Sequence, residues 1–292
     1  MLDYHVHLWP HSVSSVTCSV DQIAEYCDMA AANGVSEIAL TEHAFRFREV
    51  RATVGSFWER WGYEPTSALM ADYFDFHARS SIEDYLTVAL EAQRQGLPVK
   101  IGLEVDYYQG QMDVVRDLLA QYPFDVLIGS VHWLGTWQFD VLDDEIQMAQ
   151  WRERSVDDAW RQYADAFSEL IASETVDVVA HPDVIKVAGF VPSSTNDVWD
   201  QMATAVQQGQ VAVECSSAGW FKPVGEQYPA DGLLDRFVAV GADFTTASDA
   251  HNTERVGARS QDLAALLEAR GVHHLASFTK REKSLQPLRS QS

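Results

Sequence analysis

Seven short apolar runs, each followed by a segment with helical spacing, govern what this chain can fold into. They fall near Leu2–His7, Glu37–Leu40, Val99–Val105, Val126–Ser130, Val176–Ala180, Gln210–Cys215 and Asp243–Ser248. Between them, apolar residues recur at helical spacing, as from Val20 to Ala32 before Asn33-Gly34, and from about Val156 to Ser173. Ser81 reads as an N-cap, with Asp84 at the reciprocal capping position. Strands alternating with helices imply a parallel sheet. Seven such units in 292 residues fit a closed or nearly closed α/β barrel better than an open sheet. A doubly wound fold would want a glycine-rich turn after its first strand, and none is present.

The expected organisation is a single barrel domain over residues 1–280, with a polar tail over 281–292. Two insertions, near 45–80 and 133–154, interrupt the alternation. The first is rich in aromatics, and long aromatic loops on a barrel are expected to cover its mouth.

Ligand-type residues gather where the strands end. His5 and His7 close the first run, and His43 follows the second in Thr41-Glu42-His43. Glu104 ends the third, His132 follows the fourth, His181 the fifth, and Asp249 and His251 the seventh. In a parallel barrel all strand C-termini open on one face, so these residues converge there. His-x-His also puts both imidazoles on one side of an extended strand. Six of seven strand ends carrying such residues is hard to obtain by chance, so a centre for zinc, iron or manganese is expected.

Composition bears on partners. A formal net charge of -22 offers no basic face for nucleic acid and repels anionic membranes. A small-molecule anion would still find a welcome if bound cations reversed the local sign. Three cysteines, Cys18, Cys27 and Cys215, make no disulfide framework. The N-terminus lacks the basic and apolar regions of a secretory signal, and a cytoplasmic location is expected.

His5-x-His7, Thr41-Glu42-His43, Gly102-Leu103-Glu104, Ser130-Val131-His132, His181-Pro182-Asp183 and Ser248-Asp249-Ala250-His251 together resemble the PHP (polymerase and histidinol phosphatase) family. The segments His181–Lys186 and Ala218–Pro229 look like its histidinol-phosphatase branch, which serves histidine biosynthesis. The resemblance runs from His5 to about Gly257. It implies a distorted (β/α)7 TIM-like barrel with two to three divalent metal ions. On that pattern His5, His7, Glu104 and Asp249 hold one ion. Glu104 also bridges to a second, held with His132 and His181. His11, His43 and His251 hold a third, although the loop Leu8–Ser12 is shorter than the family's usual one. Phe221 precedes Lys222 where the family has a basic pair.

The implied activity is hydrolysis of a phosphate monoester, L-histidinol phosphate, through a hydroxide bridging two metals, with Glu104, Asp249 and His251 at the reacting centre. Lys222, Lys186, Arg255 and Arg46 are candidates for the phosphate. Glu42 and Asp183 are read as partners that orient metal-binding histidines. Alternatives are a phosphatase of this family acting on another small ester or a nucleotide, a catalytically silent metal-binding module, and an amidohydrolase on a similar barrel.

Overall fold

The computed structural model describes residues 1–14, 17–61 and 65–288. Eleven strands run β1 (Leu2–Val6), β2 (Glu37–His43), β3 (Val99–Asp106), β4 (Val126–Ser130), β5 (Trp133–Leu134), β6 (Trp137–Gln138), β7 (Val178–Val179), β8 (Ala212–Ser216), β9 (Phe244–Ala247), β10 (His274–Thr279) and β11 (Glu282–Pro287). Seven of them, in the order β1-β2-β3-β4-β7-β8-β9, pair in parallel. These are the seven runs read from the sequence. β2 and β3 are buried almost throughout, as parallel strands covered by helices must be.

The seam between β1 and β9 nearly closes the barrel. A single parallel bridge joins Val6 to Ala250, and His7 N–H donates to Ala250 O at 2.8 Å. The buried Asp3 carboxylate staples the same seam, accepting from Ser248 N–H at 2.8 Å, Ser248 Oγ at 2.6 Å and Gly257 N–H at 2.8 Å. Burial pushes the Asp3 pKa up to about 6, and these donors oppose that rise.

Helices pack outside the strands and mostly begin as their sequences dictate. Ser19 accepts from Gln22 N–H and Ser155 from Asp158 N–H. Ser81 departs from expectation, because its side chain makes no capping hydrogen bond. Glu49 reaches over from the preceding insertion and accepts from Ile82 N–H at 3.3 Å.

Both insertions bring residues to the C-terminal ends of the strands, Phe45, Tyr73 and His77 from the first and Trp133, Gln138 and Asp140 from the second, beside His43, Glu104 and His132. The first holds the helices Arg48–Val54 and Ser67–His77. Its rings Phe57, Trp58 and Phe74 are buried against one another and against Tyr108 and Trp133. Each such burial contributes about 2–3 kcal/mol, so these rings anchor the cover instead of facing the mouth. The second insertion is the β5–β6 hairpin and the helix Glu145–Glu153, tied by Trp137 Nε1–H donating to Gln147 O at 3.0 Å.

The segment expected as a polar tail is different in the structure over residues 281–288, and residues 289–292 of it lie outside the described residues. Residues 282–287 form β11, which pairs antiparallel with β10 across the two-residue turn Lys280-Arg281. Arg281 pairs with Asp177 and donates to Thr175 O at 2.8 Å, and Lys280 N–H donates to Asp125 Oδ1 at 3.1 Å. Asp125 and Asp177 immediately precede β4 and β7, so the hairpin turn seals the end of the barrel away from the mouth. No described helix is long and apolar enough to cross a membrane.

Candidate metal centre

Glu104 is the hub. It lies on β3 with its side chain inside the barrel and no exposure. Oε1 lies 3.0 Å from His181 Nε2 and 3.4 Å from His132 Nε2. Oε2 lies 2.6 Å from His43 Nδ1, 3.4 Å from His5 Nε2 and 3.5 Å from His7 Nε2. Asp249 Oδ1 faces His5 Nε2, His7 Nε2 and His251 Nδ1 at 3.5–3.6 Å.

Four triads of donor atoms lie within 4.8 Å of one another: His5-His7-Asp249, His5-Glu104-His181, His43-Glu104-His132 and His7-His43-His251. The rings of His7 and His43, and of His7 and His251, stack at 4.2 Å. His11 stands at the outer edge, its ring 4.6 Å from His251 and 4.8 Å from His43. Eight of the nine residues expected as ligands therefore share donor triads at one mouth, and His11 joins them there by ring packing and belongs to no triad. The triads cut across the three sets that the resemblance implies, since His43 also approaches Glu104 and His7 also approaches His251.

The donor set suits divalent cations. Several buried atoms of the cluster lack any hydrogen-bond partner among the described residues, including His7 Nδ1, His43 Nε2 and His251 Nε2. Buried polar atoms are rarely left so, and atoms orphaned together around one point suggest an ion as their common partner. Burial holds His43 and His11 well below the usual imidazole range and His251 down to about 3. Neutral imidazole is the form that binds metal; at His5, His7 and His132 burial also lowers the pKa, but neighbouring carboxylates outweigh it and raise it. For Glu104, burial raises the pKa, but His43, His5 and His132 around it pull it well below the carboxylate range.

Backbone and outer partners hold these groups in place. His181 has φ 23 and Asp249 φ 52, both in the left-handed region that costs a residue with a side chain. Asp106 Oδ1 lies 2.7 Å from His132 Nδ1, which aims Nε2 at Glu104. Glu214 on β8 supports two more. Its Oε2 lies 2.9 Å from His5 Nδ1, and Oε1 accepts from His181 N–H at 3.0 Å. The sequence reading did not single out Glu214. Its one visible signal is a carboxylate inside the apolar run Val211-Ala212-Val213-Glu214-Cys215, where charge is rare unless paired. With it, every strand of the barrel serves the site.

Asp183 does not orient the His181 ring. It accepts from Ala230 N–H at 2.8 Å and pairs with Lys186 at 3.0 Å. Glu42 accepts the backbone N–H of Leu8, and its Oε2 stays 3.9 Å from His7 Nδ1.

The cluster floors a cavity of about 560 Å³. Phe45, Tyr73, His77, Trp133 and Tyr228 form aromatic walls, and Asp140, Asp143 and Lys222 supply charge. Of the four basic residues expected at the phosphate, Lys222 alone lines this cavity. Lys186 is buried and spent on Asp183, Glu226 at 2.8 Å and Gln227 O at 2.9 Å. Arg255 sits over the exposed Phe221 ring, its guanidinium carbon 3.8 Å from the ring centroid. Arg46 is fully buried, with its guanidinium on the backbone of the β1 loop. These three side chains are taken up by neighbours within the chain.

An α/β barrel whose mouth is a nest of imidazoles around a shared carboxylate defines a metal-centred barrel protein. The chain belongs to the PHP domain family, whose model matches residues 3–218. It is 35% identical over 192 residues to a probable histidinol-phosphatase of Deinococcus radiodurans, covering 65% of this chain and 71% of that one. It is 24% identical to a histidinol-phosphatase of Lactococcus lactis, over 98% of each chain. The crystal structure of histidinol phosphate phosphatase from Lactococcus lactis, complexed with zinc, L-histidinol and phosphate, superimposes with a TM-score of 0.68. That match has 21% identity and covers 97% of this chain and 98% of the other, which establishes the shared fold.

Proposed function

We propose that the chain is a metal-dependent phosphoric monoester hydrolase that converts L-histidinol phosphate to L-histidinol and phosphate. One observation carries this reading: a single cavity joins the imidazole–carboxylate cluster and Lys222 to a pair of carboxylates, Asp140 and Asp143. The substrate has the matching polarity, a phosphate dianion at one end and an ammonium beside an imidazole at the other. The names of the relatives agree with it.

His5, His7, Glu104 and Asp249 would hold one ion, and Glu104, His132 and His181 a second. His43 and His251, with His11, would hold a third. Zinc, iron and manganese all suit this mixture of imidazole and carboxylate. Ions so held supply Lewis acidity to phosphoryl oxygens and acidify water for in-line attack. The chain's own residues do the rest. Glu104, with each oxygen facing different imidazoles, would be shared between the two inner sites. Lys222 adds positive charge at the phosphoryl group, and Asp249 and His251 lie at the same centre. Phe45, Tyr73 and Trp133 offer faces on which the substrate imidazole stacks.

Asp140 is read as the acceptor for the cationic end. Asp140→Asn is expected to lower kcat/KM for L-histidinol phosphate by about 10- to 100-fold, the loss of a charge-assisted hydrogen bond. Glycerol phosphate, whose tail is uncharged, should be affected far less. Steady-state kinetics on both esters check this. Equal losses on the two would remove Asp140 from specificity, and a wild-type preference for glycerol phosphate would remove the substrate.

A further inference from the structure

The residue least explained by the site is Arg46. It has no exposed surface, yet a buried guanidinium must be compensated to persist. Its partners all lie on one short loop or beside it. Nη1 donates to Val13 O at 3.0 Å and Nη2 to Pro10 O at 2.9 Å. Nε faces Glu42 Oε2 at 3.8 Å, and Glu42, equally buried, accepts the backbone N–H of Leu8. Two charged side chains from the end of β2 and the turn after it thus grip the loop following β1 at Leu8, Pro10 and Val13. The grip brackets His11.

His11 has little else to hold it. The residue is exposed, and among the described residues no side chain hydrogen-bonds to its ring. Its ring nevertheless sits against those of His43 and His251, which come from β2 and from the loop after β9. A loop with no ladder hydrogen bonds of its own keeps such a position only if its backbone is fixed elsewhere.

We propose that Arg46, with Glu42 as its counter-charge, is a positioning residue for the outermost metal ion: it fixes the β1 loop so that His11 completes the site with His43 and His251. This rests on the third ion of the reading above. The fork geometry matters, because two separate N–H groups span the carbonyls of Pro10 and Val13. A lysine ammonium keeps the charge but presents a single nitrogen.

The test is metal content of the full chain. Wild type, Arg46→Met, Arg46→Lys and His11→Ala are stripped with chelator, reloaded with zinc, gel-filtered and assayed for ions per chain. Cobalt titrations followed by visible absorption give site affinities. Apo-protein thermal unfolding shows whether each variant is folded. Arg46→Met should match His11→Ala, retaining one ion fewer than wild type with the inner ions held as tightly. Arg46→Lys, which keeps bulk and charge, should fold and hold the outer ion about 10-fold or more weaker. Wild-type metal content and affinity in both Arg46 variants overturns the assignment while leaving the three-ion reading intact. Loss of all ions together in Arg46→Lys also overturns it, because that marks a general structural role. A wild type retaining only the inner ions removes the outer site, and the assignment with it.

Discussion

Glu104→Gln is expected to lower kcat/KM for phosphate release by at least about 1,000-fold, equivalent to about 4 kcal/mol of transition-state stabilisation. The substitution keeps the volume and the strand. It removes the negative charge that faces His5, His7, His43, His132 and His181 within 3.5 Å. A neutral amide is a poor bridge between two cations, and its NH2 group points a donor at rings that should be coordinating. The inner pair of ions should be lost or separated while the barrel stays folded. Metal analysis, circular dichroism and steady-state kinetics on one preparation check all three consequences. A folded variant with full metal content and near-normal turnover would show that Glu104 is not the bridge.

The second large effect is expected at Glu214. Glu214→Ala should weaken metal binding by about 10- to 100-fold, the usual loss when the partner behind a ligating histidine is removed. Glu214 is fully buried and does two things at once. It holds His5 Nδ1 at 2.9 Å, which fixes the tautomer and aims Nε2 at Glu104 and Asp249. It also satisfies His181 N–H at a residue in the left-handed region. Alanine leaves that N–H unpaired and frees the His5 ring to turn. Competition with a chromophoric chelator measures the affinity, and Glu214→Gln should recover part of it, because its single carbonyl oxygen can still accept one of the two hydrogen bonds. Unchanged affinity in the alanine variant would reduce Glu214 to packing.

Much of this arrangement was legible in the residues. The strand runs declare themselves because a parallel strand buried on both faces must be apolar, and Val126–Ser130 can hardly be read otherwise. The histidines were legible because ligand-type residues placed after such runs converge by topology alone. Side-chain direction was not legible, and that is where the reading of the cations went astray. Arg46, Lys186 and Arg255 each follow a ligand motif closely, but a few residues of backbone decide whether a cation faces the cavity or turns into the protein. Glu214 was hidden for a related reason: only the period of β8 shows that it faces inward. The β10–β11 hairpin escaped because its turn is Lys280-Arg281, with φ 51 and 69, rather than the Asn-Gly pair that announces such turns. Ser81 looked like a cap because the sequence does not reveal that Glu49 arrives from another element.

The most direct test of the central claim is phosphate release from L-histidinol phosphate by protein of known metal content. It should be run beside nucleotides and sugar phosphates, with His132→Ala as the control. The expected result is a strong preference for L-histidinol phosphate that disappears in His132→Ala. Turnover confined to nucleotides or sugar phosphates, or no release by fully metal-loaded protein, would contradict it.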